Sequence, residues 1–113
     1  MQRSEVWLVN LAPTIGAEIS KTRPAVIVSK DTVGILRLKV IVPITDWKDD
    51  FATRVWMVRV ETDTENNLAK TSAADAFQVG SISQQRFVRQ IGTLPETIME
   101  EISAALATVL NIN

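Results

Sequence analysis

The chain has 113 residues, 46% of them hydrophobic, enough to bury one core and form one domain (1–113) without a disulfide or structural metal. It contains no cysteine and no histidine, which excludes Cys/His metal sites, thiol nucleophiles and imidazole acid–base chemistry. The formal net charge is −1, so any contact with a polyanion must rest on a local basic patch and not on a global field. The acids leave room for one: Glu61, Asp63 and Glu65 cluster, as do Glu96, Glu100 and Glu101, while Arg3, Lys21, Arg23, Lys30, Arg37 and Lys39 make the first third positive.

The opening residues alternate apolar and polar and lack the unbroken apolar core of a secretion signal; no later run approaches the roughly 20 apolar residues of a membrane span. The expected location is cytoplasmic, with no membrane partner. Residues 5–11, rich in β-formers, predict a first strand ended by Ala12-Pro13. Residues 14–22 are polar and irregular and form a long loop, the kind of segment that often carries function. Ala25-Val26-Ile27-Val28 and Lys39-Val40-Ile41-Val42-Pro43-Ile44 are continuous apolar runs suited to strands buried on both faces, with Pro43 expected at a strand end or bulge.

Thr53 to Glu61 predicts one long strand, and Asn66-Asn67 a turn, because asparagine tolerates positive φ. Residues 73–83 predict one or two strands with a kink at Gly80. Thr93-Leu94-Pro95-Glu96 fits a capping box with Thr93 as N-cap. After it Ile98, Ile102, Ala105, Leu106, Val109 and Leu110 recur at helical spacing. The expected fold class is α+β: a small, strongly bent, mostly antiparallel barrel-like sheet closed by a C-terminal amphipathic helix.

Two acidic stretches are candidates for a metal. Asp46, Asp49 and Asp50 share a loop, and Asp63 to Asn67 superficially resembles a calcium loop, but the latter lacks the turn glycine and terminal bidentate glutamate. Both read as solvated turns, and no metal or cofactor is expected. No phosphate-cradling glycine motif is present. There remain Lys21-Thr22-Arg23-Pro24, where the long loop enters the first buried strand, and Pro43-Ile44-Thr45, where the second ends. Pro24 holds Arg23 extended. If the strands are neighbours, Arg23 and Thr45 share a rim where a forked guanidinium and a hydroxyl can bind phosphate. The other reading is a surface pair of Arg23 with Glu18 and a threonine that merely ends a strand.

These blocks carry a resemblance. Arg3-Ser4-Glu5-Val6-Trp7, Pro13-Thr14-Ile15-Gly16-Ala17-Glu18, Lys21 to Ser29 and Val42-Pro43-Ile44-Thr45 resemble, in order and spacing, the successive blocks of the MazF/PemK toxin family. Asn66-Asn67-Leu68, Gln78, Ser81-Ile82-Ser83, Arg86, Ile91-Gly92-Thr93-Leu94 and the final helix are similar to its later blocks. The resemblance implies an SH3-like (CcdB/PemK-type) barrel, a homodimer, sequence-specific cleavage of single-stranded RNA and neutralisation by a cognate antitoxin. By position it implies catalytic roles for Arg23, Thr45 and Glu18, with Glu18 either a general base or the orienter of Arg23. It also implies RNA contact by Gln78; Lys21 and Trp47, the latter by base stacking, are added as RNA-binding candidates. The implied chemistry is attack by the RNA 2′-OH on the adjacent phosphate, requiring no histidine or metal.

Ser4 and Asn67 stand at usual glycine positions. Phe77 and Gly80 flank Gln78 where an acid and a base are common, a departure that bears on which RNA sequence is recognised. A CcdB-like, non-enzymatic poison of DNA gyrase is the alternative. Those proteins end in a helix with a functional tryptophan, whereas this chain ends Val109-Leu110-Asn111-Ile112-Asn113.

Overall fold

A computed structural model describes residues 1–11, 22–34 and 37–112. It contains seven strands, β1 (Glu5–Asn10), β2 (Thr22–Ile27), β3 (Leu38–Asp46), β4 (Met57–Val60), β5 (Ser72–Asp75), β6 (Gly80–Ser83) and β7 (Phe87–Thr93), followed by one α-helix, α1 (Glu96–Leu110). Every pairing is antiparallel. The order across the sheet is β4-β5-β3-β2-β1-β7, with β6 on another stretch of β3. Among the described residues β4 and β7 are not paired, so the sheet is open and not a closed barrel. The expected α+β class, a bent antiparallel sheet with a C-terminal helix, is the observed one.

The continuous apolar runs follow from two cores, one on each side of the central strands. On one side Val6, Val26, Val42, Ile44, Val58 and Val60 pack with Met99, Ile102 and Ala105 of α1. On the other, Val9, Ala25, Ile27 and Ile41 pack with Trp7, Ile82 and Phe87. Strands buried on both faces have no polar side to alternate with. Met99 is fully buried, an addition to the helical apolar stripe legible in the sequence.

Four expectations need correction. Thr93 does not cap α1; it is a ladder residue opposite Glu5, and its N–H donates to the Glu65 carbonyl at 3.0 Å. Pro95 is the N-cap residue, with no side-chain cap. The long strand over 53–61 shrinks to Met57–Val60, because Asp49–Thr53 closes into a 3₁₀ turn that buries Phe51. Arg54, ion-paired to Asp50 at 3.2 Å and lying over the Phe51 ring, belongs to that local structure. The break after β5 falls at Ala76–Gln78, a 3₁₀ turn, and Gly80 opens the next strand.

Pro43 is neither an end nor a bulge but lies inside β3. There the strand changes partner, from β6, whose register ends at Ile41–Gly80, to β5, whose register starts at Ile44–Ala74. A residue without an N–H is tolerated where that edge of the ladder has a gap.

The turn over 63–67 is built on two side chains. Asp63 Oδ1 accepts from the N–H groups of Glu65 and Asn66 at 2.8 and 2.7 Å. Buried Asn66 donates to the Glu61 carbonyl at 2.8 Å and accepts from the Leu68 N–H at 3.0 Å. Asn67 follows at φ 53°, as its residue type predicts. Gly92 closes against this turn: a Cβ there would stand 2.7 Å from both the Cα and the carbonyl carbon of Asn66. Gly92→Ala is therefore expected to lose about 2–4 kcal/mol of stability by overpacking against backbone that cannot give way. Urea unfolding that changed by under about 0.5 kcal/mol would contradict this packing.

Candidate active site

Arg23 and Thr45 come together through sheet register. Arg23 is opposite Val9 in the β1–β2 ladder, and Ala25 is opposite Pro43 in the β2–β3 ladder. Continued two residues past the last paired residues, that register runs Arg23 toward Thr45, and the two line one cleft. Because side chains alternate, both lie on the face that carries Ala25 and Pro43. Both are half-buried. They line a cleft of about 120 Å³ with Pro24, Ile44, Asp46, Leu68, Ala69, Lys70 and Ser72. Among the described residues no carboxylate pairs with Arg23. Glu18, its expected partner, and Lys21 lie outside the described residues.

Lys70 is a site residue that the sequence does not announce. It enters because the Asn66 turn returns the chain over β3, making Leu68, Ala69 and Lys70 one wall of the cleft. Its Nζ stands 3.3 Å from Asp46 Oδ2, with both side chains mostly exposed, a pairing that is weak in water and readily exchanged for another anion. Ser72 serves the local structure, donating to the Lys70 carbonyl at 2.8 Å. The cleft thus presents a forked cation, a hydroxyl and an ammonium, a donor set suited to a phosphodiester.

Trp47 and Gln78 stand apart from this cleft. Trp47 makes an edge contact with Phe51, ring centroids 5.9 Å apart, and lies under the Arg59 guanidinium at 5.1 Å. It lines a larger groove of about 400 Å³, bounded by Phe51, Met57, Arg59 and the Glu101, Ala104 and Thr108 side of α1. That groove is the bigger concavity, yet its arginine, Arg59, is ion-paired with Glu61 and its hydroxyl, Thr108, donates to the Ala104 carbonyl at 3.1 Å, whereas Arg23 has no carboxylate partner among the described residues, so the smaller cleft is the candidate site. Beside it, hydrogen bonds from Arg59 (2.5 Å) and Thr71 (3.1 Å) hold the Glu61 carboxyl below the ordinary glutamate range. That latch is fully formed above the ordinary range and is lost as pH falls through the lowered value. Gln78 is exposed in the 3₁₀ turn after β5 and donates to Asp75 Oδ2 at 2.9 Å.

The acidic stretches are accounted for locally: Asp46 and Asp50 are ion-paired and Asp63 caps its own turn. Among the described residues no three carboxylates converge on one point.

The chain matches the family described as PemK-like, MazF-like toxin of type II toxin–antitoxin system over residues 2–110. It belongs to that family. The endoribonuclease PemK of Escherichia coli is 33% identical over 112 residues, covering 97% of this chain and 82% of that protein. Endoribonuclease MazF9 of Mycobacterium tuberculosis is 29% identical over 119 residues, covering 99% and 98%. Two solved structures share the fold. One, an endoribonuclease in complex with its cognate antitoxin from a mycobacterial species, has a TM-score of 0.78 at 19% identity and covers 100% of this chain and 97% of that one. The other, MazF from Deinococcus radiodurans, has a TM-score of 0.78 at 19% identity and covers 98% and 96%. The PemK/MazF assignment reached from the sequence blocks is thus the family found.

If the cleft of this PemK/MazF chain is an anion site, inorganic phosphate titrated into the protein shifts the backbone amide resonances of Arg23, Thr45 and Lys70 together. Lys70→Ala should weaken that binding about three- to tenfold. Asp46→Asn, which removes the competing carboxylate, should tighten it. Unchanged affinity in both variants would remove Lys70 from the site.

Proposed function

We propose that this protein is the ribonuclease toxin of a type II toxin–antitoxin pair, cutting single-stranded RNA at a short recognised sequence without a metal or cofactor. The observation that carries this reading is the shared cleft of Arg23 and Thr45 in a PemK/MazF chain. The 2′-OH attacks the adjacent phosphorus, the bond to the 5′ oxygen breaks, and the products are a 2′,3′-cyclic phosphate and a 5′-OH. Arg23 neutralises charge growing on the non-bridging oxygens, the kind of preorganised stabilisation whose removal costs about 10²–10³ in rate. Thr45 positions the phosphate or relays a proton. Lys70 adds a second positive charge on the same phosphate or the next.

Glu18 enters either as the base for the 2′-OH proton or as the orienter of Arg23. A Glu18→Gln pH–rate profile separates the roles, since only a base takes an ionisation out of the profile. Lys21, Gln78 and Trp47 bind the flanking RNA, with Trp47 offering a stacking surface at the mouth of the neighbouring groove. Partners are a cognate antitoxin, as in the complex named above, and a second copy of the chain, a pairing supported by exposed Val55 beside half-buried Trp56. The place of action is the cytoplasm, where the RNA is; no helix among the described residues is long and apolar enough to cross a membrane. The gyrase alternative finds no support in the family match.

Purified protein in EDTA is expected to cleave single-stranded RNA and leave the two ends named. Arg23→Ala should lower the rate at least about 100-fold and Thr45→Ala about 10- to 100-fold. Intact activity in Arg23→Ala would overturn the site assignment.

A further inference from the structure

Asp75 is a buried carboxylate, 7% exposed, and no cation pairs with it among the described residues. Burying such a group is costly unless its oxygens are satisfied. Here Oδ1 accepts from the Phe77 N–H at 3.1 Å and Oδ2 from the Gln78 side-chain amide at 2.9 Å. The first bond caps the 3₁₀ turn over Ala76–Gln78. The second does something a turn cap does not require: it grips the end of an exposed, otherwise freely rotating side chain.

A carboxylate only accepts, so the end of the Gln78 amide that faces Asp75 is its NH₂. The usual ambiguity between the two ends of an amide is removed by this chemistry. Oε1 is then the end turned away from Asp75, toward whatever lies over the surface. The location is also fixed by register. Thr45 is opposite Ala73, and Asp75 follows two residues later on the same face of the same strand, a diagonal neighbour of Thr45 about 7–8 Å away between Cα atoms. Gln78 does not line the phosphate cleft; it stands apart from it on the same sheet, three residues beyond this neighbour of Thr45, within reach of a base further along an RNA held in the cleft.

We infer that Asp75 is a positioning residue for RNA specificity: by holding the Gln78 amide nitrogen, it presents the Gln78 carbonyl oxygen to the edge of a base that carries the pyrimidine C4 or purine C6 substituent, and selects bases with an amine there. Cytosine N4 and adenine N6 donate to that oxygen, whereas uracil O4 and guanine O6 are acceptors that it repels. This rests on the ribonuclease reading above and adds to it the class of base that is read.

The test is the cleavage of a random-sequence single-stranded RNA pool, with the ends sequenced and the preference expressed as a ratio within each protein. Such a ratio is independent of how much of each variant folds. Wild type should favour cytosine and adenine over uracil and guanine at one position, about tenfold. In Asp75→Asn the new oxygen still takes the Phe77 N–H, its NH₂ meets Gln78 Oε1, and the Gln78 NH₂ turns outward. The preference should then invert toward uracil and guanine. In the double variant Asp75→Asn with Gln78→Glu, the introduced amide donates to the introduced carboxylate, whose second oxygen faces the base, and the amino preference should return. Gln78→Ala, altered only at an exposed side chain, should lose the preference altogether. An Asp75→Asn or Gln78→Ala protein that keeps the wild-type ratio overturns the inference while leaving the ribonuclease reading in place. A wild type that cleaves with no amino-base preference at any position does the same. A wild type that cuts no RNA overturns both.

Discussion

Strand β3 is the member on which the rest of the molecule depends. Its nine residues pair with β6 over the first half, with β5 over the second, and with β2 along the other edge in between. A single strand shared by three partners bends the sheet around one helix and leaves no freedom in how β2 and β5 sit relative to each other. Pro43 marks the change of partner. β3 and the strands on either side of it bring Arg23 and Thr45 to one cleft, so the placing of these two residues is a property of the ladder, while Leu68, Ala69 and Lys70 from the chain before β5 supply the facing wall. Sites held by strands keep their shape better than sites held by loops.

The chemistry is local in the same sense. A chain of net charge −1 presents Arg23 and Lys70 to one small space, and at physiological salt charges beyond about 8 Å are largely screened. Within that space these two cations therefore dominate over the acidic segments elsewhere. Asp46 is the exception, next to Thr45 and paired with Lys70. In the proposed reaction the substrate phosphate would compete with Asp46 for this exposed ammonium.

Much of this is legible in the sequence, for identifiable reasons. The apolar runs at 25–28 and 39–44 announce strands buried on both faces, and Pro24 and Pro43 bracket the positions of Arg23 and Thr45. Asn66-Asn67 announces a turn and is one. Lys70 is invisible because nothing near it in sequence points to residues 23 or 45; it arrives through a long-range fold-back that only the Asn66 hydrogen bonds and Gly92 specify. The strand expected over 53–61 is overlong because its alternation masks a local turn closed by Phe51, Arg54 and Asp50. Thr93 reads as a cap from its neighbours alone, but its ladder with Glu5, a contact across most of the chain, takes precedence over the local motif.

The central claim is that Arg23 and Thr45 act on the same phosphate. A double-mutant cycle in single-turnover cleavage of one RNA, with Arg23→Ala and Thr45→Ala alone and combined, tests it directly. Groups that serve one transition state are strongly non-additive. The double variant should be little slower than Arg23→Ala alone, a coupling of at least about 1 kcal/mol. Losses that simply multiply, to within about twofold, would mean that the two residues serve separate steps or separate phosphates, and would contradict the account.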